Sequence, residues 1–499
     1  MAAAPTATAD APRLESRTRP LERWEWAPLA ALTLLAAALR FATLDLQSFD
    51  FDEAFTVGRV LGGSLPDVFD GLPKTESTPP LYYVLAWGWT RPFGLGEVGI
   101  RSFSALLGTA LVPIAFAAAR ELVGSRVGLV AAALVAVNPL LVFYSQEARA
   151  YALFALLATL SFWAFLVARR SPTNRNLALW ALASALALLT HYFAVFLIVP
   201  EALALLAEVR PLRRAVAAVA AVGGVGIALI PLALDQADAR TAWISDLSLA
   251  DRVKEVAKKP LTSEFDPTTN WQLAGLALVV LAGIGYGLAR GSARERRGFL
   301  IAMGLAAALL LLPLALDLVG KDYLIAKNVL PAVVLAAIAV AAALGARGAG
   351  RVGLALTLAA CVFFIGVVVV QATDHRYQRP DYRAIADELG RPPPDAAALV
   401  PYHGSAPLER YSGAQQATSA TVGELEVALP LQRGDLPGPA RPPTPPPPEG
   451  FRLAGRLERP SFSLIRYLAD QPQPVTSAGL YGLAPGTTRF PPVLLTWPG

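Results

Sequence analysis

The sequence predicts an all-α polytopic membrane protein. It should have about eleven transmembrane helices, interfacial helices in its first outer loop, and a small α+β extracytoplasmic domain at the C-terminus. Three observations carry this. Of 499 residues, 55% are hydrophobic and 16% charged, against roughly 25% charged in soluble domains, and the mean hydropathy is +0.47. The apolar residues gather into runs near the length of about 20 that a span requires. After Gln371 those runs stop and the chain turns polar and Pro-rich.

The first 25 residues form a polar tail with Arg13, Arg17, Arg19 and Arg23 ahead of the first apolar run. That run lacks a small-residue cleavage site, so it reads as a signal anchor with the tail, 1–25, in the cytoplasm. Candidate spans fall near 27–44, 102–120, 127–144, 151–168, 177–190, 192–208, 215–234, 273–290, 298–318, 329–346 and 352–371. The connections bearing Arg120 and Arg126, Arg169 to Arg175, Arg210 to Arg214, Arg290 to Arg297, and Arg347 and Arg351 alternate with connections poorer in basic residues. The positive-inside rule makes the Arg-rich side cytoplasmic. It leaves 45–101, 145–150, the turn near 191, 235–272 and 319–328 outside. The run Leu177 to Ala207 is short for two spans, yet the arginines flanking it demand an even number of crossings. Two short spans turning at Thr190-His191-Tyr192-Phe193 satisfy both conditions and place the turn in a cavity.

The membrane domain is thus 26–371, with a long outer loop at 45–101, and 372–499 is the outer domain. In the latter, Asp381 to Leu389 reads as a helix. Ala396 to Pro401, Phe451 to Leu457 and Ser461 to Leu468 read as strands, the last two paired, and 437–449 as a polyproline-type connector.

Several function classes are excluded. No Walker loop, Rossmann fingerprint or HExxH pattern occurs. Cys361 is the one cysteine, and His191, His375 and His403 are scattered, which argues against disulfides and a Cys- or His-rich metal site. The net charge of +5 resides largely in arginines of short loops, which indicates topology and no nucleic-acid partner.

The candidate chemistry lies outside. Asp50, Asp52 and Glu53 open the first outer loop. Adjacent side chains diverge, so one carboxylate can face a cavity while its neighbours pair or cap a helix from Glu53 to Leu61, and a carboxylate in a partly dry pocket can take a proton from an alcohol. The alternative is a solvated acidic loop. Glu76-Ser77-Thr78-Pro79-Pro80-Leu81-Tyr82-Tyr83 follows, with Lys74 before it; Tyr82, Tyr83, Trp87 and Trp89 are expected at the lipid interface as the rim of a groove for a lipid. Glu147 and Arg149 sit in a very short connection, where charge is a functional candidate. Arg149 suits a phosphate with Glu147 holding it in position, or the two form a structural pair. His191 and Tyr192 occupy the cavity turn, and Lys321 and Lys327 flank an outer loop and suit a lipid phosphate. Outside the cell nucleotide sugars are absent, so an energised sugar donor there would be lipid-linked.

Asp52-Glu53-Ala54, Pro79-Pro80-Leu81-Tyr82-Tyr83, Ser145-Gln146-Glu147-Ala148-Arg149-Ala150-Tyr151, Thr190-His191-Tyr192 and Arg379-Pro380-Asp381-Tyr382-Arg383 occur in that order. Over roughly residues 25–390 this pattern resembles bacterial membrane glycosyltransferases of the C superfold, in the group of the protein O-mannosyltransferases and the lipid A aminoarabinose transferase. The resemblance implies a plasma-membrane enzyme that moves a sugar, with inversion, from a polyprenyl-phosphate carrier to an acceptor hydroxyl on a lipid, polysaccharide or protein. It implies Asp52 as general base, Glu53 as its support and Glu76 as a second acid. It also implies Lys327 at a donor-phosphate position where the family has Arg, with Arg149 and Lys74 as further cations. No cofactor is required by this reading, although Asp52 with Glu53 or Glu76 offers ligands for a divalent cation. Two other readings compete: a transporter or flippase of a lipid-linked sugar, and a non-catalytic assembly or sensor protein.

Overall fold

A computed structural model describes residues 22–241, 244, 247–317, 320, 323–390, 392–431, 443–484, 486 and 490–498. Lys321 and residues 437–442 of the expected connector lie outside them. Each of the eleven apolar runs forms helix. In chain order the helices are α1 (Arg23–Phe41), α2 (Phe51–Phe55, continued by a π-turn at Thr56–Leu61), α3 (Leu65–Thr75), α4 (Leu81–Phe93), α5 (Glu97–Leu122), α6 (Ser125–Val137), α7 (Pro139–Ser145), α8 (Tyr151–Arg170), α9 (Asn174–Leu188), α10 (Val195–Glu208), α11 (Leu212–Ala228), α12 (Ile230–Thr241), α13 (Leu249–Thr262), α14 (Asn270–Arg290), α15 (Ala293–Leu316), α16 (Leu330–Leu344) and α17 (Gly350–Thr373).

Length and composition qualify seven helical segments among the described residues to cross a membrane, and the α6–α7 pair, bent by 59°, makes an eighth. The other three runs are α1, α9 and α10, of 19, 15 and 14 residues. At about 1.5 Å per residue the last two rise little more than 20 Å, short of a hydrocarbon core of about 30 Å. They meet at the Thr190–Phe193 turn, where Tyr192–Ala194 forms a 3₁₀ turn. The α6–α7 bend has a sequence cause that the apolar count misses: Asn138-Pro139. Pro139 starts the new helix, and the Asn138 side chain accepts from the Leu141 amide. The bend frees carbonyls at the end of α6. Arg40 of α1, fully buried, donates to Val135 O and Ala136 O at 3.3 and 2.8 Å, and to Ser145 Oγ. A buried arginine is tolerable here because the carbonyls satisfy it.

Polar contacts sort the connections onto two faces, as the arginine alternation expects. On one face Arg120 pairs with Glu25 (3.1 Å), Arg170 with Glu121 (2.8 Å) and Arg169 with Glu208 (2.6 Å). There too, Arg126 donates to Gly350 O and the Arg347 amide to Glu295. On the other, loop 45–101 meets 145–150, the start of α16 and the chain beyond α17 (described below).

The loop 45–101 holds α2, α3 and α4, and the tail is the α+β unit expected. It contains α18 (Tyr382–Leu389), α19 (Tyr402–Ser412) and six strands, β1 (Ala396–Val400), β2 (Gln415–Ala417), β3 (Ser419–Pro430), β4 (Phe451–Glu458), β5 (Phe462–Thr476) and β6 (Val493–Thr496). Their order in the sheet is β2-β6-β1-β3-β5-β4. β4 and β5 pair antiparallel, as expected. β1 and β3 run parallel and are linked through α19. Residues of α18 and α19 (Tyr382, Ile385, Leu389 and Leu408) cover one face of the sheet, and Leu480 and Leu483 pack on the other.

The tail is stitched to the first loop. Ser48 Oγ donates to Pro380 O and accepts from the Tyr382 amide, the Arg379 amide donates to Gln47, and the Phe49 amide donates to Tyr411 Oη. With Cys361 replaced by Ser, Asp470→Cys in the outer domain should react with an impermeant thiol reagent on intact cells. Arg213→Cys on the other face should react only after lysis. The reverse pattern would invert the expected topology.

Candidate active site

The three acids of the first loop take different roles because α2 starts on them. Asp50 is its N-cap. The Asp50 carboxylate accepts from the Glu53 amide (3.0 Å), and Glu53 reaches back to the Asp50 amide (3.4 Å). This is a capping box, worth about 1 kcal/mol or so. Burial and the charges of Glu53 and Asp52 push the Asp50 carboxyl up, against Arg379 3.8 Å away.

Glu53 is fully buried and fully committed. It accepts from Arg101 Nε and Nη2 (2.9 and 2.6 Å), from Arg379 Nη1 (2.7 Å) and from the Ala148 amide (2.8 Å). Burial raises its carboxyl, but the two guanidiniums outweigh that and hold it at about 2. Arg101 also donates to Leu44 O, Gln47 O and Ser48 O, so one side chain fixes the approach to α2. Glu53 has no oxygen left for proton transfer; its place is structural.

Glu76 is committed as well. It is 1% exposed, pairs with Arg149 Nη1 at 2.6 Å, and accepts from Tyr83 Oη and Thr56 Oγ1 at 2.6 and 2.9 Å. Thr56 opens the π-turn, a local widening common at functional sites, and its hydroxyl also accepts from Arg149 (2.7 Å). Arg149 therefore pairs with Glu76 rather than with Glu147, the partner its sequence position suggests. Tyr82 and Tyr83, expected at the lipid interface, are fully buried: Tyr83 serves Glu76, and Tyr82 packs against Tyr83 and Phe103. The interface pattern failed here because the loop folds back onto α5 and buries that edge of α4. Trp87 and Trp89 donate to Gly63 O and Gly99 O.

Asp52 is different. Its side chain is 39% exposed and pairs with Lys327 Nζ at 3.3 Å. It lines a cavity of about 950 Å³ whose wall includes Lys74, Arg149, His191, Tyr192, Lys327 and Arg379. Burial acts to raise the Asp52 carboxyl, but Lys327 and Arg149 outweigh it, so the group sits below the ordinary aspartate value and is ionised. Lys327 reaches the site from the 3₁₀ turn Ala326–Val329 ahead of α16, with its ammonium 5.8 Å from the Tyr151 ring centroid. Lys74, in the last turn of α3, is exposed at the cavity wall.

His191 is stacked on Phe154 at 4.5 Å and accepts at Nδ1 from the Phe193 amide, while Nε2 has no partner among the described residues. Tyr192 donates to Gln236. Glu147 is buried outside the cavity lining, 3.8 Å from Arg379, with Oε2 lacking a partner among the described residues. Burial raises its carboxyl to about 8, so it is largely protonated at neutral pH.

The structure thus brings Asp52, Lys327, Arg149, Lys74, His191 and Tyr192 to one cavity, with Glu76 in its wall but committed to Arg149, and places Glu53 and Glu147 behind the wall. Sequence reading left Arg101 and Arg379 out of the site. Each carried a signal: Arg101 is a charge at the head of an apolar run, and Arg379 opens a motif already singled out. The expected ion ligands Glu53 and Glu76 are held by arginines, and among the described residues no three His, Cys, Asp or Glu side chains converge on a metal position.

The chain is similar to C-superfold membrane glycosyltransferases. Residues 77–234 match the family model of dolichyl-phosphate-mannose-protein mannosyltransferases, a stretch that holds Glu147, Arg149 and His191 but neither Asp52 nor Lys327. No curated protein gives a significant sequence match. Among solved structures, ArnT from Cupriavidus metallidurans in the apo state is 13% identical, with 77% of this chain and 84% of that one covered, at a TM-score of 0.41. The Archaeoglobus fulgidus oligosaccharyltransferase in the apo form is 13% identical, covering 78% and 64%, at 0.48. The S. cerevisiae protein O-mannosyltransferase Pmt1-Pmt2 complex bound to the sugar donor is 20% identical, covering 43% and 33%, at 0.35. This chain therefore spans under two thirds of the latter two. With every TM-score below 0.5, the reading of the site rests on this chain's own geometry.

The Glu53 network makes a stability prediction. A depressed carboxyl pKa lends stability in full above the ordinary glutamate value, and that stability is lost as the pH falls through the folded value. Glu53→Gln should cost about 3–5 kcal/mol at neutral pH, because it strands two buried guanidiniums. The gap in melting temperature between wild type and variant should close between about pH 5 and about pH 2. A gap that stays constant over that range would show that the charge is not what Glu53 contributes.

Proposed function

We propose that this protein transfers a sugar from a polyprenyl-phosphate carrier to an acceptor hydroxyl at the outer face of the plasma membrane, with inversion at the anomeric carbon and Asp52 as the base. The observation that supports this most is the contrast within the acidic loop. Of its three carboxylates, Glu53 is saturated by two arginines, Asp50 lines the cavity but is tied to the cap of its own helix, and Asp52 lines the cavity, partly exposed, with its carboxylate held by the Lys327 ammonium. The family match over 77–234 gives the same reaction class.

The chemistry follows from charge. The donor is a phosphodiester with one negative charge. As the bond from C1 to the phosphate oxygen breaks, the leaving polyprenyl phosphate gains a second. Lys327, Arg149 and Lys74 are cations of the cavity wall not bound to Glu53, as Arg379 is, and cations fixed where charge develops stabilise the transition state more than the ground state. The acceptor oxygen attacks C1 from the opposite side, and its proton passes to Asp52. Alone, an aspartate held below its ordinary pKa is a weak base. Lys327, however, lies between two demands. As it neutralises the growing phosphate charge, its hold on Asp52 weakens and the carboxylate becomes more basic when the proton arrives. Confining both substrates to one cavity supplies orientation.

Purified protein should transfer a labelled sugar from a polyprenyl-phosphate donor, and Asp52→Asn should lower the rate by about 10²-fold or more while leaving folding intact. Equal rates would remove Asp52 as base. Movement of the intact donor across a vesicle bilayer with no transfer would favour the transporter reading. Lys74→Ala, at an exposed position, should raise the donor KM several-fold and leave the acceptor KM unchanged; no change in the donor KM would take Lys74 out of the phosphate site.

A further inference from the structure

The same cavity has a second wall that the proposed reaction does not explain. Tyr402 and His403, in the first turn of α19, and Phe490, ahead of β6, close over α2. Phe51 lies 5.0 Å from the Tyr402 ring centroid and 5.4 Å from that of His403. Phe490 lies 5.2 and 5.1 Å from the same two rings. We propose that these four rings form an acceptor subsite for a sugar ring, so that the hydroxyl being glycosylated belongs to a carbohydrate. The inference rests on the glycosyltransferase reading and names the acceptor class which that reading leaves open.

Position is the first argument. Inversion puts the acceptor on the side of C1 away from the phosphate, and the base must touch the acceptor hydroxyl. Asp52 lines the same cavity as all four rings, so an acceptor that brings a hydroxyl to its carboxylate lies within reach of them. Asp50, Asp52 and Lys327 line that cavity too, so the aromatic wall and the proposed base bound one space.

Chemistry is the second. A sugar ring presents C–H faces and a rim of hydroxyls. The electron-rich face of an aromatic ring attracts such C–H groups. The His403 imidazole and the Asp50 carboxylate offer donors and acceptors to the rim. One common way to hold an extended peptide is by main-chain bonds to a strand edge, whereas this wall presents side chains from a helix start. The rings also dock α19 on α2, and the test must separate that role from recognition.

The experiment uses the full chain with a labelled polyprenyl-phosphate sugar. The acceptors are a panel of hexyl hexosides and hexyl pentosides, and a peptide containing Ser and Thr. Wild type should glycosylate at least one hexyl glycoside in preference to the peptide. Tyr402→Ala and Phe490→Ala should each raise the acceptor KM about tenfold, equivalent to about 1.4 kcal/mol. The donor KM and the slow hydrolysis of donor by water should stay unchanged. Tyr402→Phe, which keeps the ring and the docking contact, should retain an acceptor KM near that of wild type. Preference for the peptide, no transfer to any glycoside while donor is hydrolysed, or a rise in donor KM equal to that for acceptor would each overturn the subsite and leave the glycosyltransferase reading standing. Absence of both transfer and donor hydrolysis would overturn the two together.

Discussion

The site depends on one buried carboxylate held by two arginines that arrive from opposite ends of the chain. Glu53 accepts from Arg101, at the head of α5, and from Arg379, beyond the last membrane helix. An unpaired charge at zero exposure would cost several kcal/mol. The three groups therefore stand or fall together, and their pairing sets where the loop, the helix bundle and the outer domain meet. The Ala148 amide, bonded to the same carboxylate, ties the α7–α8 connection to that junction. A second lock, Glu76 with Arg149, Thr56 and Tyr83, fixes the far side of the cavity. Between these two buried clusters Asp52 and Lys327 remain partly exposed, joined by a 3.3 Å contact.

That division suits chemistry. Glu53, Glu76 and the arginines they hold are buried and satisfied; Asp52 and Lys327, the pair at the centre of the proposed chemistry, are partly exposed and paired in a way that substrate can rearrange. Lys327 is the pivot, because it serves the resting carboxylate and is available to a phosphate. The C-terminal domain enters on the same terms. It contributes Arg379 to the structural lock and Tyr402, His403 and Phe490 to the cavity wall, so it completes the site as well as resting on it.

Much of this was legible in the sequence. The eleven apolar runs each fell on helix, seven or eight of them long and apolar enough to cross a membrane, and arginine alternation sorted their connections onto two faces, because both signals are local and repeated. The loop chemistry was legible as residue types: adjacent acids must diverge, so one of Asp50, Asp52 and Glu53 was free to face a cavity. Which one required the capping geometry at Asp50 and the distant arginines. Partnerships over long separations stayed hidden. Nothing near Glu53 announces Arg379, and Arg149 looks paired with Glu147 until Glu76 appears opposite. Tyr82 and Tyr83 misled because an aromatic pair beside an apolar run looks the same whether it faces lipid or protein. In the tail, the paired strands β4 and β5 were readable from alternation. β2, β3 and β6, and helix α19 with a proline at position 407, were not.

The most direct measurement of the central claim, that Lys327 restrains Asp52 until the donor phosphate draws its charge away, is the pH dependence of kcat/KM for the donor. It should be compared between wild type and Lys327→Met. The acid limb of wild type should lie below the ordinary aspartate range. In the variant, with the cation gone and the burial unchanged, the limb should move up by about one pH unit or more. An acid limb at the same pH in both proteins would contradict the account.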